Sequence, residues 1–335
     1  MFPGKIMASR GLLSILLVAS LLLLVLACLL GSTPLGLERF VMALFNIGSA
    51  GDQIVVWEIR LPRAIAAYIV GASLGISGAA LQGLLRNPLA DPGVLGVSAT
   101  ASLAATFTLY YGLAGVSSYF LPLSAVLGAL VATALLSVAA VKLGSVVTLI
   151  LVGVAVSSFA GALMALLMNL APNPFSLSDM INWMLGSVAN RSYEDIALTL
   201  PFMLLGAALL FFSRRGLSAL TLGEEAAEGI GLNLPRTRTL IVLGAGIATG
   251  GAVALAGAVG FVGIVAPHFV RPFVKHEPAA TLLPSALLGG CILLAADILL
   301  RVLPTNVELK LGVVAALIGA PAFVWIATQR SKLHD

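Results

Sequence analysis

The sequence predicts an all-α integral membrane protein of about ten transmembrane helices, and three observations predict it. First, 60% of the 335 residues are hydrophobic and only 10% are charged, where a soluble domain carries about 25%. With a mean hydropathy of +1.09, a water-soluble fold would expose a large apolar surface and aggregate. Second, charge-free runs recur at 11–37, 64–85, 239–270, 278–296 and 311–329, and 92–141 is free of charge throughout. Crossing a hydrocarbon core of about 30 Å takes roughly 20 apolar residues. Third, the runs lack the period-two alternation of an outer-membrane barrel, so backbone groups in lipid must be satisfied within helices.

In chain order the expected spans are 11–31, 59–82, 94–113, 119–141, 145–169, 195–213, 239–257, 260–272, 280–299 and 309–328. Val25-Leu26-Ala27-Cys28 faintly resembles a lipoprotein cleavage box. The run continues past it and many spans follow, so a retained membrane helix is expected. Arg86 to Gly93 reads as a turn, because Pro88 and Pro92 forbid a continuous helix. Residues 173–186 follow the turn Ala171-Pro172-Asn173-Pro174 and read as a short extra helix at the membrane surface. The polar stretch 213–238 fits two short helices broken at Gly223 and Gly231. Residues 1–335 form a single membrane domain that contains this stretch. Small residues recur four apart at Gly71, Gly75 and Ala79 and at Gly153, Ser157 and Gly161. Such stripes serve close helix packing or form a groove wall.

Ten spans put both termini on one side. The loops of that side hold twelve of the eighteen basic residues, against six in the other set. The positive-inside rule makes the richer side cytoplasmic, with a net charge of +6 inside and −2 outside. This asymmetry explains the basic balance, and no basic cluster with interleaved aromatics points to nucleic acid.

Chemistry-bearing motifs are scarce. No phosphate-binding Gly-x-x-x-x-Gly-Lys-Ser/Thr loop occurs, so the chain does not hydrolyse ATP by that route. The two cysteines, Cys28 and Cys291, form no metal or redox motif, and no metal site is expected. His268, His276 and His334 are isolated. Embedded ionisable residues mark ion-coupled carriers. Here Asp297 is the nearest to one, and Arg301 follows four residues on as a structural partner. If the protein pumps, an attached motor supplies the energy. The segment Glu224-Glu225-Ala226-Ala227-Glu228 suits that attachment, since acidic residues favour a helix N-terminus and small alanines leave a shallow face.

Several stretches together resemble the permease subunits of type II ABC importers, which take up iron–siderophore chelates, haem and cobalamin. They are Arg60-Leu61-Pro62-Arg63, GASLGISGAALQGLLRNPLADPGVLGVS (71–98), LGEEAAEGIGLN (222–233), ALAGAVGFVGIVAPHFVRPFV (254–274) and GVVAALIGAPAFVWI (312–326). The resemblance runs from about residue 30 to residue 328. It implies a homodimer with the pathway on its axis, two copies of a separate ATPase that uses ATP and Mg, and a periplasmic or lipoprotein binding protein. No cofactor is bound directly. Arg60, Arg63 and, through ADILLR, Arg301 match the arginines that dock the binding protein. An unpaired guanidinium there would grip carboxylates bidentately. Gly223, Glu225, Ala226, Ala227 and Gly231 match the ATPase-coupling helices. Asn87, Pro88 and Leu89, with Ser145, match the cytoplasmic gate. Ser157, Gly161, Met164 and Met168 lie on the pathway-lining fifth span, where methionine suits loose contact with bulky cargo.

The resemblance places the chain in a bacterial or archaeal cytoplasmic membrane, with iron–siderophore as the first expected cargo, then cobalamin or haem. Two other readings stand beside it. A stand-alone secondary transporter or channel would want more embedded charge. An intramembrane enzyme would use His268 or Asp297, whose predicted positions lie near opposite faces.

Overall fold

The computed structural model describes residues 3–31, 35–93, 95–142, 146–303 and 309–331. Among the described residues all regular structure is helical. The chain opens with α1 (Pro3–Leu29), α2 (Leu37–Leu44) and α3 (Ala50–Ile54), then a π-helical turn Val55–Arg60 leads into α4 (Leu61–Leu85). Next come α5 (Val97–Tyr110), α6 (Phe120–Lys142), α7 (Val146–Asn169), α8 (Pro174–Met184) and α9 (Tyr193–Phe212). The short α10 (Arg214–Ala219) and α11 (Glu224–Gly229) precede α12 (Leu234–Ala256), α13 (Val262–Val270), α14 (Pro278–Val302) and α15 (Leu311–Ser331).

Each expected span falls on one of α1, α4–α7, α9 and α12–α15. Among the described residues seven stretches are long and apolar enough to cross a membrane, and α5, α13 with its 3-10 extension, and the apolar part of α15 are shorter. The extra helix is α8, whose N-cap Asn173 accepts from the Ser176 N–H at 2.8 Å. Sequence reading missed α2 and α3. They are too short to register as spans, and Arg39 on α2 pairs with Asp52 on α3 at 2.5 Å. That pair is exposed and contributes little to stability.

α4 and α12 occupy the centre. α4 packs on α14, α13 and α12, while α12 packs also on α6 and α9. These central helices carry their small residues where neighbours press closest. A Cβ on Gly71 or Gly75 would strike the backbone of Gly289 or Ser285 on α14, and one on Gly78 would strike Gly263 on α13. Of the two readings of the Gly71/Gly75 stripe, packing is the one the geometry supports. The second stripe divides: Gly153 presses on Leu95, whereas a Cβ on Gly161 meets nothing within 4 Å.

The connection between α12 and α13 is irregular but enclosed. The Ser187 N–H donates to Ala256 O at 2.7 Å, and the Gly312 N–H donates to Gly186 O at 3.3 Å. Non-helical backbone is tolerated in a membrane protein where other protein segments satisfy it.

Filling the α4–α13 seam is expected to cost more than the ~1–3 kcal/mol typical of overpacking, because the obstacle is backbone. Gly78→Val should lower the melting temperature of the detergent-solubilised chain sharply, while Gly161→Ala should leave it unchanged. Equal melting temperatures for the two variants would overturn this account of the seam.

Candidate functional site

The residues singled out by sequence fall into three places. The first is the end of the bundle where α1 finishes and α4 begins. The last four carbonyls of a helix lack intrahelical partners, and here arginines take them. Arg60 donates through Nη1 to Cys28 O at 2.8 Å and to Leu29 O at 2.9 Å. Arg301 donates through Nη1 to Ala27 O at 2.8 Å. Cations also suit the negative end of the helix dipole. Asp297 is fully buried on α14. It accepts from Arg63 Nε at 2.9 Å and lies 3.1 Å from Arg301 Nε.

This corrects one expectation. Docking arginines were expected to be unpaired and available, with only Arg301 given a partner, Asp297. Instead Arg60 is 5% exposed, and the side chains of Arg63 and Arg301 are 15% and 9% exposed. All are engaged within their own chain. The i,i+4 pair Asp297–Arg301 was legible in the sequence. Arg63–Asp297, separated by 234 positions, carried no local signal.

The second place is the polar stretch. α10 and α11 flank Gly223, whose φ of 108° and that of Gly231, 88°, lie where only glycine sits without strain. Glu225 and Ala226 are exposed, but Ala227 is buried against its own chain. Only one of the two alanines can therefore face a partner. The buried Arg238 on α12 holds Glu224 at 2.7 Å and anchors the start of α11. Leu222 and Ile230, 64% and 67% exposed, bracket the helix with apolar surface. The sequence reading passed over them because it weighed only small and acidic residues.

The third place is the turn after α4. Arg86 ends α4 in a left-handed conformation, φ 48°. Asn87 Oδ1 accepts from the Leu89 N–H at 2.9 Å. Asp91 Oδ1 accepts from the Gly93 N–H at 2.7 Å. Burial pushes the Asp91 carboxyl above its usual range, with that hydrogen bond opposing. The buried Gln82 donates to Ala90 O at 3.2 Å and to Gly263 O at 3.1 Å, joining the turn to α13. Ser157 Oγ on α7 donates to Gly93 O at 3.4 Å. Ser157 thus faces the turn, and Met164 is buried, while Met168 is half-buried. Ser145 lies outside the described residues.

His268 does not share a site with Asp297. Asp297 is level with Arg63 at the start of α4, whereas Arg271, one turn beyond His268, bonds Gln82 near the helix's other end. Nineteen residues of helix separate those levels, about 28 Å at ~1.5 Å per residue. Among the described residues no cluster of three His, Cys, Asp or Glu could hold a metal.

A bundle with several helices long and apolar enough to cross a membrane among the described residues defines a multi-pass membrane protein. The profile of the FecCD transport family matches residues 16–329, so the chain belongs to that family, the permeases of type II ABC importers. It is 40% identical over 283 residues to the uncharacterized ABC transporter permease protein YvrB of Bacillus subtilis strain 168, covering 83% of this chain and 80% of that one. It is 39% identical over 285 residues to the vitamin B12 import system permease protein BtuC of Serratia proteamaculans strain 568, covering 84% of each. With the probable siderophore transport system permease protein YfiZ of Bacillus subtilis strain 168 it shares 33% identity over 308 residues, 90% of this chain and 91% of that one. A solved structure, described as an inward-facing conformation of a transporter assigned to the metal-chelate ABC type, superposes with a TM-score of 0.83. It is 28% identical and covers 96% of this chain and 99% of its own.

Two outcomes follow from this geometry. Asp297→Asn leaves Arg63 and Arg301 without a counter-charge, and breaking a buried pair costs about 3–5 kcal/mol. A large fall in melting temperature is expected, and an unchanged one would show that the cluster does not hold the α1–α4–α14 end. Asp91→Asn keeps the acceptor for Gly93 but cannot ionise. A carboxyl whose folded pKa is raised contributes stability below its unfolded pKa and loses it as pH rises through the folded one. The variant should therefore melt higher than the parent at neutral pH, with the gain vanishing on acidification towards the unfolded pKa. A gain independent of pH would exclude titration of Asp91 as its cause.

Proposed function

We propose that two copies of this chain form the membrane half of an ATP-driven importer that moves a bulky metal chelate into the cytoplasm by alternating access. Two copies of a separate ATPase, using ATP and Mg, seat on the α10–α11 segment. A periplasmic or lipoprotein binding protein delivers cargo at the Arg60/Arg63/Arg301 end. Both termini lie in the cytoplasm of a bacterial or archaeal cell, and the permease performs no covalent chemistry.

The observation that carries this reading is the exposed α11 helix, held at one end by Arg238–Glu224 and bracketed by exposed Leu222 and Ile230. It is a short knob with an apolar rim, joined by residues 221–223 to Leu220. Leu220, at the foot of α10, accepts at 2.5 Å from Arg86, beside the turn at Asn87, Pro88 and Leu89, so a push on the knob reaches the proposed gate through few intermediaries.

Cargo is ordered by similarity. Identity to BtuC, 39%, exceeds that to YfiZ, 33%. This favours a cobalamin-type corrinoid over a ferric siderophore and reverses the order taken from the sequence. At the docking end, carboxylates of the binding protein compete with Asp297 and with the α1 carbonyls for the same guanidinium groups.

The test reconstitutes the chain with its ATPase and candidate binding proteins in nanodiscs and measures ATP hydrolysis. Binding protein loaded with cobalamin should stimulate most, ahead of ferric siderophore and haem. Ile230→Asp should abolish ATPase association while leaving the permease's own melting temperature unchanged. Absence of ATPase association with the parent chain, and no stimulation by any cargo, would sink the importer reading in favour of a carrier working alone.

A further inference from the structure

A cavity of about 190 Å³ lies at the end of the bundle that carries α10 and α11. Among its lining residues are Gln82, Arg86, Thr221, Arg271 and His276. The two arginines enter from different elements, and each makes a charge-assisted bond beside the cavity. Arg86 donates Nη2 to Leu220 O at 2.5 Å, and Arg271 donates Nη2 to Gln82 Oε1 at 2.6 Å. Arginine carries five N–H donors in a planar fork, and such a bond helps fix the plane of the group.

Among the described residues no carboxylate lines the cavity. The nearest in sequence, Glu277, is turned to other work. It accepts from the N–H groups of Ala279 and Ala280 at 3.3 and 2.6 Å and from the Ser218 hydroxyl at 2.5 Å. The N-terminus of α14 is thereby already capped, and the cavity's charge comes from side chains. Exposed apolar residues stand close by in sequence. Leu222, Phe273 and Leu283 are 64%, 62% and 41% exposed, each within two positions of a lining residue.

We propose that this cavity binds a phosphate-type oxyanion. Arginine pairs take phosphate oxygens bidentately, and basic pockets between transmembrane helices near the cytoplasmic face take phospholipid headgroups. An oxyanion here ties three parts together. Arg86 reaches the α10 end through Leu220, and Arg271 reaches the 87–93 turn and α13 through Gln82. Its occupancy sets how stiffly the coupling segment is joined to the turn. The proposal concerns binding to the permease itself and stands apart from the importer reading.

The test uses the full chain in nanodiscs of phosphatidylcholine, with and without phosphatidylglycerol, and separately with inorganic phosphate. Native mass spectrometry reads lipid retention, and thermal unfolding reads stabilisation. The parent chain should retain phosphatidylglycerol selectively, and Arg86→Gln should weaken retention about tenfold, the loss expected for one charge-assisted hydrogen bond. His276→Glu, at an exposed position, should weaken it as well without disturbing the fold. Stabilisation by inorganic phosphate in phosphatidylcholine alone, lost in both variants, would support the site with a free anion as its source. Equal lipid retention and equal phosphate response in the parent and both variants would overturn the proposal. So would protection that emerges only when an ATPase binds, since a partner's carboxylate would then fill the cavity.

Discussion

Every peptide group held at the depth of the hydrocarbon must find its hydrogen-bond partner inside the protein, and the rest of this structure is arranged around that requirement. Within helices it is met automatically. At helix ends and breaks it is not, and there the polar residues of an otherwise apolar chain are concentrated. Arg60 and Arg301 meet the carbonyls at the end of α1. The end of α12 is met by Ser187 of the α8–α9 connection, and that connection in turn by Gly312 of α15. Gln82 meets the turn and α13 together.

A second constraint follows from the solvent. Lipid tails are as apolar as leucine, so helices gain little by hiding apolar surface from them and associate through close packing instead. The glycines of α4 let α14 and α13 approach to backbone contact. This explains why the central helices α4 and α12 are rich in Gly and Ala. The large apolar residues are pushed outward, as at Leu151, Phe159 and Leu166 on α7.

These constraints explain what was legible in the sequence. Spans are visible because a membrane helix must be long and apolar along one contiguous run, and each expected span met a helix. Breaks at Pro88, Pro92, Gly223 and Gly231 are visible because backbone chemistry is local. Partners across the bundle are not local. The burial of Ala227 beside the exposed Ala226 depends on how α11 lies on α12. The engagement of the three arginines depends on α1 and α14 arriving at one place. The Gly71/Gly75 stripe and the Ser157/Gly161 stripe have the same spacing, and only the neighbours distinguish a packed seam from open space.

The capping of α1 also has a consequence for biosynthesis. Arg301 lies 274 positions after the carbonyl of Ala27 that it satisfies. A ribosome adding about 5–20 residues per second reaches it on the order of tens of seconds later. Through that interval the C-terminal end of α1 is incompletely closed, held by Arg60 and by the N–H groups of Leu30 and Leu35. A helix made early is thus secured late, and a segment made far downstream acts as its fastener.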